Sequence, residues 1–146
     1  MYAKKIKYED FNGNEKERKF YFNFTKAEIL EMELSTNGGY TTYLNRIIET
    51  EDQATLVKIF KELILKAYGV KSDDGELFIK NDEVLAKFTQ SNAYSELFTE
   101  LSTNTNSAIE FCNGVFPPAL MKQIQNSPEY QQKIEELIKN NLPQND

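Results

Sequence analysis

The sequence predicts a mainly α fold, with an N-terminal β-hairpin packed on a bundle of about six short helices around a central helix 52-69. Three observations predict it. Asn12-Gly13 stands between two alternating runs, a strong short hairpin signal. From Ile29 onward apolar residues recur at helical spacing in one segment after another. The stretch from Asp52 to Gly69, DQATLVKIFKELILKAYG, is the most apolar and most strongly periodic of these.

Residues 4–24 read as the hairpin. Ile6 and Tyr8 alternate with charged residues before the turn, and Phe20, Phe22 and Phe24 line one strand face after it. Asn14 to Lys19 leave the register open. An isolated hairpin is marginal in water, so the phenylalanine face needs helices or another subunit against it. Thr25-Lys26-Ala27-Glu28 then fits a capping box, with Phe24 where a hydrophobic staple belongs. Ile29, Leu30, Met32 and Leu34 give the first helix a broad apolar side. Ser35 to Gly39 breaks it. A second helix is expected from Tyr40 to Thr50, with Tyr43, Leu44, Ile47 and Ile48 on one face.

In the central helix Leu56, Val57, Phe60, Leu63, Ile64, Ala67 and Tyr68 share a face. Ile59 and Leu65 fall outside it, so apolar neighbours are expected on more than one side. Asp52 is the expected N-cap and Gly69 the left-handed C-cap. A charged turn, Lys71 to Gly75, leads to a short extended segment, Glu76 to Lys80. Asn81 or Asp82 caps a helix holding Val84, Leu85 and Phe88. The stripe then changes phase to Tyr94, Leu97, Phe98 and Leu101, which implies a break near Gln90 to Asn92. Ser102 to Asn106 reads as a polar loop, and Asn106 opens a short helix closed by Gly114.

Pro117-Pro118 marks the one domain boundary: 1-116 reads as a compact hairpin-plus-helices domain and 117-146 as a C-terminal helical extension. Ser127-Pro128 opens a last helix, whose Tyr130, Ile134, Leu137, Ile138 and Leu142 form a narrow stripe. That stripe can dock on its own domain or in a partner's groove.

Composition narrows the function. A net charge of −6 disfavours nucleic acid, which needs clustered lysine and arginine. Lys4, Lys5 and Lys7 read as a solvated strand edge. No apolar run approaches a membrane span and no signal peptide is visible, so a cytosolic protein is expected. With no histidine, triads and histidine metal sites are excluded. Cys112, the single cysteine, reads as a small core residue. Asp73-Asp74-Gly75-Glu76 has a metal-like look, but a calcium loop with Gly75 at its sixth position would begin at Val70 and end at Asn81, neither a carboxylate. No cofactor, metal or catalytic residue is expected, and the chain is read as not an enzyme.

Two stretches, KIKYEDFNGNEKERKFYFNFTKAEILEMELSTNGG and IFKELILKAYGVKSDDGELFIKNDEVLAKFTQSNAYSELFTEL, the latter followed by AIEFCNGVFP, resemble tail assembly chaperones of long-tailed (siphovirus-type) bacteriophages and prophages of Gram-positive bacteria. The resemblance covers roughly Lys4 to Pro117 and lies in the ordered combination of these segments. It implies a non-catalytic protein of the bacterial host cytoplasm that binds the tape measure protein and keeps it soluble during tail morphogenesis. Tail tube protein is a further partner, and self-association is expected. Phe111, Phe116, Leu120, Met121, Tyr130, Ile134, Leu137 and Ile138 are the expected partner-binding residues. The alternatives are a structural tail or connector component, or a small phage protein that binds a host factor.

Overall fold

A computed structural model of the chain describes residues 1–35 and 53–116 and the single positions Gln132, Glu135 and Lys139. The expected helix over 40–50, the Asp52 cap, the proline boundary and the apolar residues beyond it lie outside the described residues. The element order is β1 (Tyr2–Glu9), β2 (Glu15–Phe22), α1 (Lys26–Ser35), α2 (Gln53–Ala67), β3 (Tyr68–Lys71), β4 (Phe78–Ile79), α3 (Asp82–Thr89), α4 (Asn92–Thr103) and α5 (Thr105–Val115). Among the described residues the fold is therefore mixed α/β, with five helices and a four-stranded antiparallel sheet ordered β1-β2-β3-β4. This corrects the expected mainly α fold of a hairpin on about six helices: the hairpin is part of a four-stranded sheet, and five helices are described.

The hairpin register runs from Tyr2↔Phe22 to Glu9↔Glu15. Its turn is a five-position loop, 10–14, and not a two-residue turn. Asp10 Oδ1 accepts from the backbone N–H groups of Asn12 and Asn14, each at 2.9 Å. Gly13 takes φ +84°, the left-handed region that glycine enters without steric cost. The phenylalanine face behaves as the sequence predicts: Phe22 and Phe24 are buried and Phe20 packs against the core. Lys5 and Lys7 are exposed, but Lys4 is not solvated; its Nζ pairs with Glu100 of α4 at 3.0 Å. Asn92 Nδ2 donates to Glu9 O at 2.8 Å at the other end of β1, so α4 runs antiparallel along that strand.

Strand β3 was not expected. The helical stripe continues through Tyr68, yet α2 stops at Ala67 and the chain passes straight into a strand. Its last carbonyls explain the change, because a helix end must find outside donors. Asn23 N–H donates to Ala67 O at 2.8 Å, and Lys80 Nζ donates to Lys66 O at 2.8 Å. The pairs Phe22↔Tyr68 and Tyr21↔Gly69 then carry the chain along the free edge of β2. Gly69 is thus no left-handed cap. It is a buried strand residue over which the Phe78 ring lies, and a Cβ there would sit 2.6 Å from that ring.

The remaining helices are set by their ends. Thr25 and Glu28 form the reciprocal capping box: Thr25 N–H donates to Glu28 Oε1 at 2.9 Å and Glu28 N–H to Thr25 Oγ1 at 3.2 Å. Asn81 caps α3 through Val84 N–H at 2.8 Å. The phase change predicted near Gln90 to Asn92 is the break between α3 and α4. The expected loop over 102–106 shrinks to Asn104 alone. Asn104 ends α4 through its N–H to Glu100 O and caps α5 by accepting from Ser107 N–H at 3.1 Å. Asn106 is therefore inside α5, and so is Gly114, where the backbone packs directly on the Tyr2 ring.

The core lies between the sheet and the helices. Phe22 has no exposed surface and its ring centroid lies 5.3 Å from Phe111, 5.8 Å from Tyr68 and 5.9 Å from Phe88. Tyr68 stacks on Phe88 at 4.1 Å. Burying such rings stabilises through area and through edge-to-face or offset geometry. Ile59, outside the main stripe of α2, is buried too, in keeping with neighbours on more than one side.

Candidate functional site

Among the described residues no group of three or more His, Cys, Asp or Glu is placed to hold a metal ion. The acidic turn after β3 is held by its own hydrogen bonds. Asp74 Oδ1 accepts from Ser72 Oγ at 2.7 Å and from Glu76 N–H at 3.0 Å, and Gly75 takes φ +78°. Those bonds, the one from Ser72 first, hold the Asp74 carboxyl below the usual range. Cys112 is placed for packing. Burial pushes its thiol up to about 12, far from the thiolate that nucleophilic work requires. Among the described residues no helix is long and apolar enough to cross a membrane.

Among the described residues the most connected polar side chain is Lys80, just after β4. Its ammonium donates to Glu28 Oε2 at 2.6 Å, to Asn23 O at 2.8 Å and to Lys66 O at 2.8 Å. It also lies 5.2 Å from the Phe24 ring centroid and 5.7 Å from that of Phe78. One cation therefore ties β2, the start of α1 and the end of α2 to the residue before the Asn81 cap. Partial burial acts to raise the Glu28 pKa, but the hydrogen bonds from Lys80 and Thr25 outweigh it and the carboxyl stays below its ordinary value. The reach of these contacts fixes α2 against the start of α3.

Between those two helices lies an open groove. One depression of about 440 Å³ is lined by Lys61, Leu65, Asp82, Leu85, Ala86, Thr89 and Tyr94. A second of about 250 Å³ shares Leu65, Asp82 and Leu85 and extends past Lys66, Tyr68, Lys80, Asn81 and Val84. The sequence places these side chains by the helical period on two helices. Lys61 and Leu65 are one turn apart on α2, while Leu85 and Thr89 are one turn apart on α3. Leu65, Val84, Leu85, Ala86 and Tyr94 are half-buried, so the groove has an apolar floor that keeps some contact with water. Its α2 wall is basic, and its start on α3 carries Asp82.

Other apolar surface is exposed on α1, where Leu30 and Leu34 are 59% and 79% exposed one turn apart. Of the residues expected to meet a partner, Phe111 and Phe116 are buried. Phe111 sits against Tyr2 and Phe22, and Phe116 stacks on Phe24 at 5.2 Å. Leu120, Met121, Tyr130, Ile134, Leu137 and Ile138 lie outside the described residues. Gln132 and Glu135, between them in sequence, and Lys139, just after Ile138, are helical and exposed. The groove escaped the sequence reading because its lining comes from separate segments. The signal that pointed to it was Leu65, an apolar residue off the main stripe of α2.

The family model for phage tail assembly chaperones matches residues 1–146. No curated protein and no solved structure matches the chain. The full-length match shows that the chain belongs to the phage tail assembly chaperone family, a non-catalytic family.

Proposed function

We propose that this member of the phage tail assembly chaperone family binds the tape measure protein and keeps its apolar helices soluble until tail tube protein replaces it. The family match over residues 1–146 carries the reading. An open groove with an apolar floor and the exposed leucines of α1 support it, because amphipathic helices bind by laying an apolar face on such surfaces. The phage is of the long-tailed type with a Gram-positive host, and the chaperone works in the host cytoplasm as a self-associating coat on an extended client. A charge of −6 keeps such an assembly in solution. The apolar residues beyond the proline pair, Leu120, Met121, Tyr130, Ile134, Leu137 and Ile138, belong to the proposed contact surface. Phe111 and Phe116 support it from the core.

The test is co-expression with the tape measure protein of the same phage. Soluble client should rise with the chaperone present, and no gain would sink the reading. Changing Ile134 and Leu137 to Ser should weaken that gain with the melting temperature unchanged; a lower melting temperature with the gain intact would make the stripe a core element instead.

A further inference from the structure

We propose that the groove between α2 and α3 takes an amphipathic helix whose apolar stripe is bordered by acidic residues. The inference rests on the chaperone reading and adds to it where the client lies and what charge its flank carries. Two neighbouring depressions share Leu65, Asp82 and Leu85 in their lining, and their apolar floor is half-buried. Such a groove accepts residues one helical turn apart, as a helix offers at i, i+3, i+4 and i+7.

The flank preference comes from the walls. Lys61 and Lys66 line the α2 side, and Lys58, one turn before Lys61, continues the exposed row. None of these three side chains forms an ion pair among the described residues. Glu62 is the one acid of α2, so in a chain of net charge −6 these three lysines leave that helix net positive. Lys80, the third lysine of the lining, is committed to Glu28. Asp82 is the one acid among the described lining residues, and it stands in the first turn of α3, where the helix dipole favours it. An acidic border on the incoming helix meets the α2 lysines. A basic border is repelled along the same wall, and charge matching of this kind sets partner choice and encounter rate.

The probe is a pair of synthetic helical peptides with one leucine stripe, bordered by Glu in one and by Lys in the other. Each is titrated calorimetrically into the full-length chain. The Glu-bordered peptide should bind about tenfold tighter at low salt, and the gap should narrow as salt screens the walls. The double variant Lys61→Glu with Lys66→Glu should reverse the order; it alters exposed side chains and leaves the Lys66 carbonyl bonded to Lys80. Equal binding of both peptides, or a preference that survives the reversal, overturns the proposal. So does a variant that changes the mass in light scattering with peptide binding unaltered, since a second copy would then be the occupant. The outcomes separate from those of the function itself. If the unaltered chain does not solubilise the tape measure protein, the chaperone reading falls. If the charge-reversed variant solubilises it as well as the unaltered chain, that reading stands and the groove assignment falls.

Discussion

Helices α2 and α3 each have two working sides, and the sides differ in how completely they are covered. On one, Leu63, Ile64 and Ala67 of α2 and Phe88 of α3 are buried in the core. On the other, Leu65 of α2 and Leu85 and Ala86 of α3 are only half-buried, with lysines along the rim. The same helices thus supply a closed aromatic core and an open trough. Closed packing sets stability, because each buried ring loses water and gains close neighbours. The trough contributes less to stability and leaves apolar area for a partner. Substitutions on the two sides should therefore separate folding from binding.

The largest effect is expected in the core. Phe22→Ala removes a ring with no exposed surface and three aromatic neighbours within 6 Å, and should cost about 3–5 kcal/mol in denaturant unfolding. Lys80→Met comes next. It leaves the Asn23 and Lys66 carbonyls and the Glu28 carboxylate without their shared donor, at a cost of about 1–3 kcal/mol. The same variant should change the response to acid. The Glu28 carboxyl has a lower pKa folded than unfolded, so its contribution is complete above the unfolded value and is lost as pH falls through the folded one. Melting temperatures followed from about pH 7 down to about pH 3 should fall less steeply for Lys80→Met than for the unaltered chain.

Glycine at position 114 gives a test of sign. In an open helix, Gly→Ala stabilises by roughly 1 kcal/mol. Here the new Cβ would meet the Tyr2 side chain near its root, 2.7 Å from Cγ and 2.8 Å from Cβ, where the ring cannot swing aside. Gly114→Ala should therefore destabilise, by about 1 kcal/mol net of the helix gain. Gly69→Ala meets only the far atoms of the half-buried Phe78 ring and should cost less. The smallest effect belongs to the trough. Lys61→Glu with Lys66→Glu should leave stability within about 0.5 kcal/mol while reversing which helix is bound.

Local chemistry was legible in the sequence, and long-range chemistry was not. The Thr25–Glu28 box, the Asn81 cap, the phase break before α4 and the phenylalanine face all follow from residues close together in the chain. Strand β3 does not. Tyr68 and Gly69 fit a helix and its cap, and they become a strand only because the edge of β2 and Lys80 capture the last carbonyls of α2. Strand preference depends on such neighbours more than on the residue itself. Glycines 69 and 114 were read as helix ends for the same reason, since the rings of Phe78 and Tyr2 that demand them lie in distant segments. The trough draws on α2, β3, α3 and α4, so no single window of sequence displays it.

Hydrogen exchange of the full-length chain, measured with and without its tape measure client, tests the central claim most directly. The account predicts added protection over 58–68 and 82–94, the segments that wall the trough, with the β1–β2 hairpin unchanged. Protection confined to the hairpin, or none at any segment while the client stays bound, would contradict it.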